Sequence, residues 1–410
     1  MRIAINGMGI AGPALAWWLH RDGHDVLLLE EAPRLRTGGY IIDFWGLGYE
    51  LAERMGILPR VKELGYQVRE VRFLDRDGRR ASGFSTEVFT RLTGGRFTSL
   101  RRSDLGAAIY QALDPAVERL FDNSISGIHD TGTAVRIELA RGGTREVDLV
   151  VGADGLHSAV RRLVFGPQSR FEVPLGYHVA AAEVRGYRPR DELVYVSYTA
   201  PGRQLSRFAM RDDRTLLLFV FRDECLGDSH PEGDGERRAA LARIYRDLGR
   251  EAAPVFDALD GAEDIYFDRV SQIRMPEWCR GRVALLGDAA ACVSLMAGEG
   301  SGLAMAEAYV LAGELGRAAG DHTIAFARYQ ALLRPFLQKK QESARKFASA
   351  FAPKTAIGVE FRNLVTRLLR IPALADWLVG RDLRDDITLP NYASARGAPV
   401  TYPVESPPRA

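Results

Sequence analysis

The chain has 410 residues, 46% of them hydrophobic and 26% charged, with 55 basic residues against 53 acidic ones and a net charge of +2. At ~2 to 3 domain-lengths, and with this ordinary composition, it can bury a sizeable core, which excludes a disordered or fibrous protein. The balance of charge, with arginine doublets scattered at 79–80, 101–102, 161–162 and 237–238, excludes a nucleic-acid footprint.

Cys225, Cys279 and Cys292 are far apart, with no C-x-x-C pair and no histidine companion at ligand spacing. Neither a metal site nor a disulfide framework is expected, and a reducing, cytoplasmic home is. Residues 1–3 run straight into an apolar stretch without a leader pattern, and no long apolar run occurs, so no transmembrane segment is expected.

The first 30 residues carry the strongest local signal. An apolar run at 3–5 breaks into Asn6-Gly7-Met8-Gly9-Ile10-Ala11-Gly12, followed by a helix over 13–21 and a buried strand over 26–29. At G-x-G-x-x-G spacing, Gly7 makes the tight turn, Gly9 admits a pyrophosphate to the backbone, and Gly12 lets helix and strand pack closely. The N–H groups opening the helix, around Ile10 and Ala11, then face an anion with a favourable dipole. Glu30 ends the second strand where an acid accepts hydrogen bonds from a ribose. An adenine dinucleotide site follows, with NAD and FAD both open.

Beyond it, residues 32–43 form a basic loop with a glycine pair that suits a long cofactor, and 46–55 read as a helix stopped at Gly56. Residues 68–74 and 79–82 read as a hairpin turning at Asp77-Gly78, and a helix to about residue 113 starts with Ser103 as N-cap and Asp104 in its first turn. A second hairpin, 134–139 with 144–151, runs into Gly152-Ala153-Asp154-Gly155. Alternating strands at 177–184, 192–198, 205–210 and 215–221, then a helix over 237–248, suggest an antiparallel sheet lying as a lid over a flat apolar ligand. A buried strand then ends in Gly287-Asp288, and the loop Ala297-Gly298-Glu299-Gly300-Ser301-Gly302 opens a helix over 303–315. That loop presents backbone N–H groups at a positive dipole end, suited to negative charge building on a reduced flavin. Helices over 324–350 and 359–369 and a proline-rich tail from residue 390 complete the chain.

The opening fingerprint, the Asp154-Gly155 segment and the Gly287-Asp288 segment together resemble the single-component (class A) flavoprotein monooxygenases, the para-hydroxybenzoate hydroxylase-like family. The nearest likeness is to its tetracycline-inactivating and antibiotic-tailoring members. It spans roughly residues 1–350 and implies an α/β fold: a Rossmann-like FAD-binding domain (1–66, 101–170 and 276–335), an inserted, mainly antiparallel β-sheet substrate domain (67–100 and 171–275), and a C-terminal helical segment and tail (336–410). It implies FAD held at its pyrophosphate by Gly7, Gly9, Ile10, Ala11 and Gly12 and at its ribose by Glu30, with Arg102 beside the cofactor and Asp43 near the flavin end. Asp288 would hold the ribityl chain, and Gly298, Gly300 and Ser301 would face the ring. Asp154, with His157, Ser158 and Arg161, matches a motif serving FAD and NADPH; an Asp-Gly turn can also simply pin the next helix.

The chain departs from the family at two points. Glu30 is followed by Glu31 where a cation is usual, leaving Arg34 or Arg36 to replace it. After Gly-Asp-Ala-Ala come Ala291 and Cys292 instead of a histidine and prolines. The implied chemistry is reduction of the flavin by NADPH or NADH, addition of O2 as a C4a-hydroperoxide, and hydroxylation of an aromatic or polycyclic small molecule. No catalytic side chain is expected to stand out, because the cofactor performs the difficult step. Tyr198, Arg207, Phe219 and Met296 are the expected substrate-pocket residues, and the protein is expected to be a monomer or homodimer. Two other readings stay open: a flavin-dependent reductase or dehydrogenase of the same fold, and a non-catalytic FAD-binding protein. Residues 361–370 could touch a membrane surface, but a helix covering the core is the favoured reading.

Overall fold

The structure, a computed structural model, describes residues 1–36, 38–75, 77–227, 229–249, 252–294, 298–369, 374 and 385–392, and absences refer to these residues. Met296, Ala297, Arg370 and the expected tail beyond residue 392 lie outside them.

Two sheets organise the chain. In the first, of six strands, Arg2–Asn6 lies at the centre, flanked in parallel by Asp25–Leu29 on one side and Leu149–Gly152 on the other. Glu118–Leu120 extends it beyond Asp25–Leu29, while Val283–Leu285 and the antiparallel Cys279–Arg280 extend it beyond Leu149–Gly152. The central strands read as unbroken apolar runs because both faces are covered: Ile3, Ala4, Ile5, Leu28, Leu29 and Leu149 have no exposed surface. Helices Ala11–Arg21 and Gly300–Arg317 pack together over this sheet, and a three-stranded meander (Ile125–Asp130, Val135–Leu139, Thr144–Val147) completes this half.

The second sheet has seven strands. Ile265–Ile273, Glu172–Arg185, Arg214–Arg222, Arg203–Ala209 and Val194–Ala200 run antiparallel in that spatial order. The hairpin Glu70–Leu74/Arg80–Ser85 joins beside Val194–Ala200 through a parallel pairing. This sheet has two unlike faces. The outer one packs Val196, Tyr198, Leu205, Leu217 and Phe219 under helices Gly233–Tyr245 and Ala252–Leu259. The other carries Ala181, Phe208, Leu216 and Leu218, and meets Tyr40, Tyr66 and Ile41 from the first half.

Several expectations are corrected. Ser103 is no N-cap: the helix runs Arg102–Gln111 with Arg101 at the cap position, and Arg101 forks onto Asp104 at 2.6 and 2.8 Å. Residues 144–151 are not one hairpin arm, because Thr144–Val147 ends the meander and Leu149–Gly152 crosses into the parallel sheet. Helix Ala356–Leu368 lays its polar side on the core. Asn363 and Thr366 are buried and Arg362 bonds Thr199 and Gln204, while Ile357, Phe361 and Leu364 face outward. No described helix is long and apolar enough to cross a membrane.

The fold turns on close backbone approach at the first loop. A Cβ on Gly12 would stand 2.0 Å from the Gly7 carbonyl oxygen, and one on Gly7, whose φ is +111°, would stand 2.4 Å from that of Ala153. Gly12→Ala is therefore expected to destabilise the apoprotein by ~2 kcal/mol or more through overpacking, read as a lowered Tm. An unchanged Tm would show that the loop can relax.

Candidate active site

Between the two sheets lies a cleft of about 440 Å³. The C-terminal ends of the parallel strands open into it, at the point where the chain leaves the central strand in two directions, the usual ligand position of such sheets. At one end it is walled by Gly7, Gly9, Ile10 and Ala11, with Glu30, Glu31 and Arg36 on the rim. Arg102 and Asp154 line its middle; Asp288, Gly298, Gly300 and Ser301 line its far end. The N-termini of helices Ala11–Arg21 and Gly300–Arg317 thus both reach the same cavity.

The residues beneath the loop hold it in shape. The Glu30 carboxylate accepts from the backbone N–H of Met8 at 3.0 Å and of Ala32 at 3.1 Å, clamping the glycine turn to the end of the second strand. Asn6, 3% exposed, donates to Asp154 at 2.9 Å and accepts from the Ile125 N–H at 3.0 Å. Asp154 also accepts from the N–H groups of Ala159 and Val160 at 2.8 and 3.1 Å and from the Ser158 hydroxyl. Its carboxylate thus caps helix Ala159–Val164 and ties it to the first strand, and the Ser158 hydroxyl adds a second cap by accepting from the Arg161 N–H. Arg161, with no exposed surface, donates to the carbonyls of Leu156 (2.6 Å) and Ala289 (3.1 Å), joining the Asp154 segment to the helix that Asp288 begins. Burial pulls the Arg161 guanidinium below its ordinary pKa, with the Asp154 charge opposing.

Arg102 is different. It lines the cleft 3.6 Å from where a Cβ on Gly9 would lie, and among the described residues its guanidinium has no carboxylate partner. A cation facing a glycine loop at a helix N-terminus has the chemistry to hold a pyrophosphate. Glu31 and Arg36 instead pair with each other at 2.6 Å on the rim.

Strand parity decides where the remaining expected site residues point. In Ile41–Phe44, Ile42 faces the cleft, so Asp43 points elsewhere. It accepts from the Ser99 hydroxyl beside a narrow crevice shared with Glu299 and Gly302, where surrounding protein raises its carboxyl pKa. Tyr198 and Phe219 belong to the outer face of the seven-stranded sheet, packed under its helices. Arg207 is also turned away: it pairs with Asp191 at 2.8 Å, donates to the Pro189 carbonyl and lies over the Tyr187 ring. A one-residue change of parity moves every side chain of a strand to the opposite face. The sheet residues that do line the cleft are Val179, Tyr266, Asp268, Arg269, Val270 and Ser271, joined by Tyr40 from the first half.

The Tyr40 and Tyr266 rings lie 6.2 Å apart, and burial raises both phenol pKa values, that of Tyr40 to about 12. His157 spans the gap between the halves, with Nε2 3.1 Å from Asp268 and Nδ1 3.2 Å from Gln168. The Asp268 hydrogen bond is the largest cause of its raised pKa. Cys292 lines the cleft, but burial holds its thiol well above the ordinary range, so it packs as a neutral group.

Residues 1–324 match the FAD binding domain family. The chain belongs to the FAD-dependent monooxygenases. A flavin-dependent monooxygenase of Legionella longbeachae is 30% identical over 397 residues, covering 96% of this chain and 99% of the relative. An uncharacterised Mycobacterium tuberculosis protein is 38% identical over 343 residues, 83% of this chain and 91% of its own. The crystal structure of the tetracycline destructase Tet(51) superimposes with a TM-score of 0.79 at 29% identity, covering 95% of this chain and 99% of that one. The α/β architecture expected from the sequence is thereby established, as is FAD as the cofactor.

One buried acid escaped the sequence reading. Glu307, 2% exposed on helix Gly300–Arg317, accepts from the Gly287 N–H at 2.8 Å and lies 3.1 Å from the Tyr329 hydroxyl, which itself reaches the Leu285 carbonyl. Desolvation raises its pKa to about 8. Because the folded-state value lies above the unfolded one, the stability tied to the neutral acid is complete below 4.5 and is lost as pH rises to about 8. A glutamine can make the same contacts without titrating. Glu307→Gln is expected to flatten the fall in Tm across that window, where a group of this kind costs ~1.4 kcal/mol per pH unit; parallel Tm profiles for the two proteins would contradict the assignment.

Proposed function

We propose that this monooxygenase uses NADPH or NADH as a transient reductant and hydroxylates a planar, electron-rich aromatic or polycyclic small molecule. The observation that carries the reading is the convergence of two helix N-termini and the unpaired Arg102 on a cleft whose other wall is the Tyr40–Tyr266 pair with Val179 and Val270. In this reading the FAD pyrophosphate lies against Gly7, Gly9, Ile10 and Ala11 with Arg102 beside it. The adenosine end approaches the rim of Glu30, Glu31 and Arg36, and Asp288 meets the ribityl chain. Gly298, Gly300 and Ser301 present backbone N–H groups to the pyrimidine edge. Asp154 serves by anchoring the loop, since its carboxylate is already engaged.

Bound FAD supplies hydride acceptance from the nicotinamide and activation of O2. The protein's own groups bind, orient and dry the site. The reaction balances as substrate C–H plus O2, reduced nicotinamide and a proton, giving substrate C–OH, water and oxidised nicotinamide. Only one dinucleotide fingerprint occurs in the sequence, which supports a reductant that docks and leaves instead of occupying its own Rossmann unit. The aromatic wall supports a flat substrate held by stacking and apolar contact. The tetracycline-degrading activity named for one structural relative is consistent with a fused-ring substrate. Separated, free cysteines support a reducing, cytoplasmic setting.

Aerobic NADPH and NADH oxidation measured against a panel of phenols and fused-ring polyketides tests this reading. One class should stimulate turnover and yield a product carrying an atom from labelled O2. Nicotinamide oxidation that yields hydrogen peroxide alone with every compound would favour a reductase. Arg102→Met should weaken FAD binding ~10- to 100-fold, the worth of a hydrogen bond to a charged group, as measured by flavin fluorescence during dialysis; unchanged affinity would remove Arg102 from the pyrophosphate.

A further inference from the structure

We infer that residues 385–392, close to the end of the chain and far from every flavin motif, belong to the flavin-holding apparatus, with Lys340 and Asp385 as positioning residues for the loop that opens helix Gly300–Arg317. The inference rests on the flavin placement proposed above.

Lys340, on helix His322–Phe351, lies with Nζ 2.8 Å from Glu299 and 3.1 Å from Asp385, and the three side chains are only 12, 17 and 14% exposed. Glu299 stands at the N-cap position of helix Gly300–Arg317, between the cleft-lining Gly298 and Gly300. Fixing its carboxylate therefore fixes the backbone on both sides. The other oxygen of Asp385 accepts from the Leu47 N–H at 3.0 Å. That donor is one of the orphans opening helix Gly46–Arg54, which no nearby side chain caps. Room for the carboxylate exists because position 46 is glycine: a Cβ there would lie 2.3 Å from Asp385. Helix Gly46–Arg54 in turn touches the flavin loop backbone to backbone, since a Cβ on Gly48 would lie 2.6 Å from the Gly302 Cα. Asp385 thus secures the loop twice, through Lys340 and through the helix on which Gly302 rests.

The rest of the segment follows helix Gly300–Arg317 towards its other end. The Tyr309 hydroxyl donates to the Pro390 carbonyl at 3.0 Å, Tyr392 donates to Glu314 at 2.7 Å, and the Arg317 guanidinium lies 4.4 Å from the Tyr392 ring centre. Tyr392 is 1% exposed, seated where a Cβ on Gly313 would be 2.2 Å from its ring. The segment straps the helix lengthwise and fastens its N-terminal loop.

Removing the Lys340 charge leaves two poorly solvated carboxylates facing each other at that loop, and their repulsion displaces the N–H groups aimed at the flavin. In the full-length protein, Lys340→Met should raise the FAD dissociation constant about tenfold and shift the flavin midpoint potential downward, because the reduced, anionic ring loses its donors. Lys340→Arg should restore both. Asp385→Asn, which keeps an acceptor for Leu47 but breaks the ion pair, should move both in the same direction by less, and it decides the matter if Lys340→Met fails to fold. A variant with wild-type FAD affinity and midpoint potential but a lowered Tm would show a plain structural brace and overturn the inference. Wild-type protein that takes up no FAD would instead sink the flavin placement itself.

Discussion

The whole molecule depends on one place where backbone touches backbone. The turn at Gly7 is pressed against the strand end at Ala153 on one side and against the start of helix Ala11–Arg21 at Gly12 on the other, at distances that leave no room for a side chain. Everything around it enforces that approach: Glu30 from the second strand, Asn6 beneath, and Asp154 bridging to the next helix. The polar groups at this crossing are buried and mutually bonded, which makes the local geometry rigid and any partial disruption costly. A rigid glycine turn at a helix N-terminus is what an anionic cofactor requires, so the feature that closes the fold also prepares the site.

The same crossing explains how much could be read from the sequence. The glycine spacing, the apolar strands around it and the Gly287-Asp288 ending are local signals, and each element lies where those signals put it, within a few residues. The roles of Asn6 and Glu307, and that of Arg161 beyond its place in a motif, were not legible, because they come from partners far along the chain. Arg161 matters through the carbonyl of Ala289, and Glu307 through the N–H of Gly287. The resemblance of the motif set to a known family supplied the cofactor and chemistry that spacing alone left open between NAD and FAD.

The sheet residues expected in the substrate pocket lie at the opposite parity from those that line the cleft. A strand buried on both faces, such as Arg214–Arg222, has no polar alternation to say which side faces the ligand, so its pattern does not set Phe219 apart from Leu218 or Val220. Arg207 drew attention as a cation on an apolar strand, yet it serves Asp191 and the Pro189 carbonyl in the outer layer. Strand Ile265–Ile273 was missed, and its Tyr266 and residues 268–271 line the cleft. Helix Ala356–Leu368 misled for the converse reason: its buried side is held by Arg362 and Asn363, so hydrophobicity alone indicated the wrong face.

The order of strands in the parallel sheet has a consequence for how the protein is made. Arg2–Asn6 precedes its partners in the chain, but its neighbour on one side is Leu149–Gly152 and the strand beyond that is Val283–Leu285. One edge of Arg2–Asn6 therefore has no partner until residue 152 has been made, and the open apolar edge then passes to Leu149–Gly152 until residue 285 follows. Completing the parallel sheet of the nucleotide-binding half thus requires the segment that also brings Asp288.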